Sequence, residues 1–294
     1  MTEMIPNPES QPDFKLQEPS SIWTIQRIRP GKKEALEDRL LLEEPLEIAV
    51  NGHRLAVLMR MPGQEKELAA GFCLSEGYVR RAEDILLIHH CGFGDPSPEA
   101  LEPDGPAYSR NRVELRVARE GFLPPKAPDT VRLIRSGCGA ADVSALTNNL
   151  PFLSYKVSVD PTVLLGLGKA MRDLQIVHGK VGGTHSATLF DIHGKPVHTA
   201  EDIGRHNAVD KVLGYCVLRK ILLEDKILVT SGRASYEMAV KAIRFRVPLV
   251  ATISAPTSLA VQIAQERGLT LVGYLRGGRM NVYTHPRRLQ ISQP

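Results

Sequence analysis

No two of the four cysteines, Cys73, Cys91, Cys138 and Cys216, stand in a Cys-x-x-Cys pair. Their wide separation argues against zinc held by paired thiolates and against a disulfide framework. No apolar run approaches the length of a membrane span. The first twenty residues lack the cationic start and apolar centre of a secretory signal, and carry Glu3, Glu9, Asp13 and four prolines instead. A cytoplasmic protein with no membrane association is the expectation. There is no lysine-rich block and no basic stripe interleaved with aromatics, and a net charge of +4 is too small to predict a nucleic-acid partner. That charge is compatible with an anionic small molecule. His89-His90-Cys91 is a run of metal-ligating side chains, but neighbours on a strand point to opposite faces, so no metal is expected there.

What is present is the composition of an ordinary globular protein, 43% hydrophobic and 24% charged over 294 residues, enough for about two domains. Residues 1–21 are polar and proline-rich and are read as a disordered tail. Residues 22–130 are read as a smaller, β-rich α+β domain. A strand over Ile22–Pro30 is followed by a strong hairpin signal, Glu44–Val50 and His53–Met59 around Asn51-Gly52. A helix is predicted from Glu65 to Glu76, with Leu68, Phe72 and Cys73 on one face, which makes Cys73 a core residue. Strands at 84–90 and 111–118 flank a Pro/Gly-rich loop, and residues 120–128 read as a linker. Residues 131–157 hold a cysteine loop and linker.

From 158 to 294 the pattern becomes α/β. Asp160 and Pro161 start a helix running to Leu174. Strands at 186–192 and 195–199 flank His193-Gly194, a helix runs from His206 to Leu223, and Lys226–Thr230 is a buried strand. Helices at 234–245 and 257–267 alternate with strands at 248–254 and 269–274. Such alternation predicts parallel later strands, with ligands collecting at their carboxyl ends.

Four loops there are rich in small and polar residues. Thr230-Ser231-Gly232-Arg233-Ala234-Ser235 joins a strand to a helix N-terminus through a tight turn, an arrangement suited to phosphate, although the lysine of a Walker loop is missing. Leu275-Arg276-Gly277-Gly278-Arg279-Met280 brackets two glycines with two arginines, and arginine favours bidentate phosphate contacts. Together they predict more than one phosphate, with a nucleotide or dinucleotide as the simplest ligand. Asp202, Arg205, His206 and Asn207 place charge and an imidazole at a helix start; Asp202 and Asn207 match a purine edge, and helix capping is the alternative for Asp202. His185, after Gly182-Gly183-Thr184, is a general acid or base, a ligand contact, or a structural histidine.

Cys138 stands between Gly137 and Gly139, where little side-chain bulk shields its sulfur. The alternating run Val131–Ile134 reads as a short strand leading to it. Arg132 and Arg135 would favour the thiolate. The alternative is a small buried hydrophobe.

Glu44-Pro45-Leu46-Glu47-Ile48, Glu67–Phe72 with Ser75-Glu76-Gly77, the cysteine loop, Gly182–His185, Glu201–Lys211, Ser231–Ser235, Ser254–Ala260 and Leu275–Arg279 with Asn281-Val282-Tyr283 resemble, in order over residues 22–285, the FdhD family of formate dehydrogenase accessory proteins. The resemblance implies a sulfurtransferase. Cys138 would take sulfur from a cysteine desulfurase as a persulfide and pass it to the molybdenum or tungsten bis-guanine-dinucleotide cofactor before insertion into formate dehydrogenase. It implies cofactor contacts from the segment Tyr274, Leu275, Arg276, Gly277, Gly278, Arg279 and Met280. Ser231, Gly232, Arg233, Ser235, Asp202, Arg205, His206, Asn207 and His185 are implied as further partners. A homodimer is also implied, and so is a three-layer, cytidine-deaminase-like α/β C-terminal domain. Deaminases hold zinc with His-x-Glu and Pro-Cys-x-x-Cys. The matching helix starts here, His206-Asn207-Ala208 and Gly232-Arg233-Ala234-Ser235, carry neither set, so no metal is expected. The chain also departs from the family's Cys-Gly-x-Cys-Gly, with Ala141 at the second cysteine. A one-thiol relay still suffices chemically, and a cofactor chaperone that transfers no sulfur is the alternative function.

Overall fold

The computed structural model describes residues 19–91, 111–124, 132–133 by their backbone, and 150–290. The proline-rich tail up to residue 18, the loop within 92–110 and Cys138 itself lie outside the described residues.

The chain opens with a two-stranded antiparallel ribbon, β1 (Ser20–Arg29) and β2 (Lys32–Leu41), paired along its full length. β3 (Glu44–Val50) and β4 (His53–Arg60) form the hairpin that the Asn51-Gly52 turn predicts, with Asn51 and Gly52 both at positive φ. With β5 (Ile85–Cys91), β6 (Arg112–Val117) and β7 (Arg132–Leu133) they make a five-stranded sheet ordered β5-β6-β3-β4-β7. The helix α1 (Glu65–Ser75) covers it, burying Leu68, Phe72 and Cys73 against Leu46, Ile48 and Leu115. The expected linker at 120–128 begins otherwise: Arg119–Gly121 is a 3-10 turn and Phe122 bridges to Val79.

The second layer system is a six-stranded sheet ordered β13-β12-β11-β10-β8-β9. α2 (Pro161–Asp173) starts where predicted, with the Asp160 carboxylate accepting from Thr162 N at 2.8 Å. The short α3 (Ile176–Val181) follows. β8 (His185–Asp191) and β9 (Pro196–Asp202) pair around the left-handed Gly194, and α4 runs from Arg205 to Leu218. It stops short of the expected Leu223 because Lys220 adopts φ 55°. β10 (Lys226–Thr230), α5 (Tyr236–Arg244), β11 (Leu249–Thr252), α6 (Ser258–Arg267), β12 (Thr270–Arg276) and β13 (Arg279–Val282) complete it. β10, β11 and β12 are mutually parallel, whereas β8, β9 and β13 run antiparallel to their neighbours. Helices α4, α5 and α6 pack on one face around Val212, Met238 and Ile263, and α2 packs on the other around Leu164 and Met171. The C-terminal unit is thus a three-layer α/β sandwich.

The two sheets meet through α1 and α4. A Cβ at Gly71 would collide with the Asp210 carbonyl, and one at Gly214 with that of Glu67, so glycine at both positions lets the helix backbones touch. Beside this crossing Lys241 Nζ lies 2.9 Å from both Asp210 carboxylate oxygens and 2.6 Å from Ser75 Oγ, an ion pair shared by α1, α4 and α5. Burying these charges costs several kcal/mol unless every lone pair is matched, which this network nearly achieves.

Candidate functional site

Strand direction gathers the polar loops. β10, β11 and β12 end on one side of the sheet; β8 begins there, since His185 pairs with Asp202, and Ser186 binds Ser231. The loops 182–185, 202–207, 231–235, 253–257 and 276–279 therefore share the carboxyl end of the sheet.

Ser231 is pinned from both sides: its N–H donates to Ser186 O at 3.0 Å, and its Oγ accepts from Ser186 N at 2.9 Å. His185 Nδ1 stands 3.4 Å from the same hydroxyl. Gly232 packs between Arg205 and His185, where a Cβ would come within 3.2 Å of Arg205 Cδ and 3.6 Å of His185 Nδ1. His206 Nε2 lies 2.8 Å from Glu237 Oε2, tying the start of α4 to the first turn of α5. Both helix N-termini face this end, and their dipoles favour negative charge. Burial, reinforced by the Arg205 charge, holds the His185 imidazole below its usual pKa, so it is neutral at pH 7.

Among the described residues, the buried side-chain atoms Ser186 Oγ, Thr230 Oγ1, Ser235 Oγ and Arg205 Nε at this end have no hydrogen-bond partner. Ser235 precedes α5 without capping it. Each such group costs about 1–3 kcal/mol when left unmatched, and a ligand's polar atoms would match them. Thr230 belongs to the loop that the sequence offers for phosphate, but neither it nor Ser186 stands out as a contact, because a hydroxyl at the end of an apolar strand reads as strand.

The second anion-favouring element is the hairpin between β12 and β13. Gly277 and Gly278 have φ 61° and 70°, and Arg276 pairs directly with Arg279. Both are exposed, and like charges opposite one another are destabilising unless an anion neutralises them. Arg276 also lies 5.6 Å from the Tyr274 ring. β12 is two strands from β10, so this hairpin and the Ser231 loop are separated by about 10 Å across the sheet. Between them Tyr274 N donates to Ser254 O at 3.0 Å and Ala234 N to Ala255 O at 3.2 Å, which knits the loops into one frame.

Not every predicted residue presents itself here. Leu275 is buried in the core beneath the hairpin and Met280 packs beside it. Asp202 is fully buried and is neither open to a purine nor the N-cap, which is Gly204. Its carboxylate accepts from Gly204 N and Asn207 Nδ2, each at 2.9 Å, and from Met61 N at 3.2 Å, and pairs with Lys211 at 2.7 Å. Asn207 donates in addition to Met59 O at 2.8 Å. A groove of about 600 Å³ beside β9, between Met61–Gln64 and Leu174–Val177, is largely apolar, and Lys211, a cation in its lining, is already paired.

The cysteines sort by place. Cys73 and Cys216 are buried, and burial pushes both thiols up, Cys216 to about 12, far from a thiolate. Cys91 is half-buried on β5, the edge of the N-terminal sheet remote from β7. β7 itself, five residues before Cys138, runs parallel to β4 with Ala56 opposite Arg132 and Val57 opposite Leu133. It therefore points toward the end of β4, the corner that Asp202 and Asn207 grip. Five residues of sequence separate Leu133 from Cys138, which itself lies outside the described residues. Among the described residues no three His, Cys, Asp or Glu side chains gather as a metal site, and no helix is long and apolar enough to cross a membrane.

Comparison with known proteins gives a consistent result. The sequence signature of the FdhD/NarQ family matches residues 41–290. The sulfur carrier protein FdhD of Mycobacterium tuberculosis is 41% identical over 260 residues, 86% of this chain and 92% of the relative. That of Nocardia farcinica is 38% identical over 273 residues, covering 90% and 93%. That of Sulfolobus acidocaldarius is 35% identical over 268 residues, covering 91% and 97%. A crystal structure from Desulfotalea psychrophila, described as a proposed formate dehydrogenase accessory protein, shares the fold with a TM-score of 0.71 at 24% identity, over 92% of this chain and 99% of that one.

Proposed function

The chain belongs to the FdhD/NarQ family, and on that premise we propose that it is a sulfur carrier serving formate dehydrogenase, with Cys138 as the carrier thiol and the carboxyl end of the six-stranded sheet as the receptor for the guanine-dinucleotide cargo. The observation that carries the reading is the set of four unmatched buried polar atoms, Ser186 Oγ, Thr230 Oγ1, Ser235 Oγ and Arg205 Nε, between two helix N-termini. They offer hydroxyl and guanidinium partners to phosphate or base. The paired arginines 276 and 279, about 10 Å away across the sheet, suit a second phosphate.

Sulfur would move by thiolate exchange. The Cys138 thiolate attacks the outer sulfur of a persulfide on a cysteine desulfurase; the donor's S–S bond breaks, a new one forms on Cys138, and the donor cysteine leaves as thiolate. Delivery to the molybdenum or tungsten cargo would break the Cys138 S–S bond and free the Cys138 thiolate, the outer sulfur arriving as sulfide with its two electrons drawn from the reduced metal of the cargo. Ala141 leaves no neighbouring thiol to resolve the persulfide, so Cys138 carries one sulfur at a time. That same residue favours the second reading, a chaperone that holds the cofactor without transferring sulfur. Formate dehydrogenase activation separates the two. A Cys138→Ala chain that activates fully, while Arg276→Ala with Arg279→Ala does not, is a chaperone; loss of activation in Cys138→Ala with cofactor still bound identifies the carrier.

A further inference from the structure

The corner after β4 is held from outside its own sheet. Asn207 Nδ2 donates to Met59 O at 2.8 Å, Met61 N donates to Asp202 Oδ2 at 3.2 Å, and Lys211 Nζ donates to Met61 O at 2.9 Å. Behind these bonds Lys211 and Asp202 form an ion pair at 2.7 Å, with side chains 1% and 0% exposed. Between the two methionines Arg60 turns the other way, to Asn111 at 2.9 Å and to Glu44 and Glu65, each at 3.3 Å. The β4 terminus is thus clamped by directional bonds on both sides.

The clamp sits on the ligand loop. Asn207 is two residues from Arg205, and a Cβ on Gly204 would come within 3.0 Å of its Nδ2, so the loop closes tightly over the amide. Both amide hydrogens are committed, one to Asp202 and one to Met59, which leaves none for a base. On the far side β4 carries β7, the strand that leads to Cys138. A buried ion pair is a costly way to attach two units that apolar contact could join. What directional bonds add is a fixed register.

We propose that Asn207, backed by the Asp202–Lys211 pair, is a positioning group that couples occupancy of the 202–207 loop to the placement of the β4–β7 strands. This rests on the reading above that a guanine nucleotide takes that loop and that Cys138 carries sulfur. Ligand contact at Arg205 or His206 moves the start of α4, and Asn207 transmits the movement to Met59.

The test uses the full chain with GDP as probe and amide hydrogen exchange as readout. GDP is expected to slow exchange in residues 54–61 and 132–133 of the parent about fivefold or more. Asn207→Ala is expected to bind GDP with unchanged affinity, lose that remote protection, and pass sulfur from a loaded Cys138 about tenfold more slowly. A merely structural Asn207 would lower thermal stability and keep the GDP-dependent protection. That result overturns the proposal, as does a fall in GDP affinity of about tenfold, which would make Asn207 a ligand contact. If Asn207→Ala does not fold, Lys211→Arg, which keeps the charge but changes the reach to Met61 O, is held to the same outcomes. A parent that binds no GDP, or whose Cys138 takes no sulfur, removes the functional reading and the coupling with it; binding, loading and unaltered protection in the variant remove the coupling alone.

Discussion

The two ends of the six-stranded sheet are built in opposite ways. At the amino end of β12 the buried hydroxyls are matched: Thr284 Oγ1 donates to Leu269 O at 2.6 Å and accepts from Leu271 N at 2.9 Å, and Thr270 Oγ1 accepts from Arg288 Nη1 at 2.8 Å. Arg288, 1% exposed, also donates from Nη2 to Leu153 O and Ser154 O, leaving only its Nε without a partner. At the carboxyl end the hydroxyls of Ser186, Thr230 and Ser235 are just as buried and have no partner among the described residues. The amino end satisfies its threonine hydroxyls within the protein. The carboxyl end gives up hydrogen-bond energy that folding alone would have kept, which is how a receptor for a polar ligand differs from a core.

The contrast can be broken most forcefully at the arginines. Arg288→Ala removes three buried bonds of a charged donor and is expected to destabilise the chain by about 3–5 kcal/mol in urea titration while GDP affinity stays the same. Arg205→Ala is expected to do the reverse: GDP affinity falls by about tenfold to a hundredfold, a change of about 1.5–3 kcal/mol, with the denaturation midpoint nearly unmoved. If both variants lose stability and neither loses affinity, the two ends do not differ as described.

A matched pair of threonines sharpens the contrast with smaller effects. Thr284→Val is expected to cost about 1–3 kcal/mol because it strands the Leu269 carbonyl and the Leu271 amide. Thr230→Val removes a hydroxyl that has no partner among the described residues, so stability should be unchanged or rise by about 1 kcal/mol while GDP binds more weakly. Equal destabilisation of the two, read by thermal melts, would erase the distinction.

The smallest effect is in pH. His185 is held below the ordinary imidazole pKa of about 6.5 by burial and by Arg205. Between that value and its lower folded value the unfolded chain binds more protons, so stability declines as pH falls through the window. His198, lowered to about 4 by burial and then by Arg219, adds a loss of the same sign. A bound phosphate favours protonated His185, so GDP affinity should rise over the same descent. An affinity flat from about pH 5 to 7 would place His185 away from the anion.

How much of this was legible in the sequence depended on the range of the forces involved. The 44–59 hairpin, the helix at 65 and the C-terminal alternation are set by local turn chemistry and periodicity, and they stand where the pattern puts them. β2 was not legible, because Lys32–Leu41 mixes Lys, Glu, Asp and Leu without strand alternation and takes its register from β1. The carboxyl-end gathering of the loops followed from strand order. The roles of Asp202 and Asn207 did not, since both are decided by Met59 and Met61, more than a hundred residues earlier. Leu275 likewise looked like part of a ligand segment, but strand alternation turns it into the core while Arg276 stays exposed.

The most direct measurement is mass spectrometry of the full chain after incubation with a cysteine desulfurase and labelled cysteine. One added sulfur on the peptide containing Cys138, retained in Cys91→Ala and absent in Cys138→Ala, is the predicted result. Equal loading of Cys138→Ala, or sulfur found on Cys91, would contradict the account.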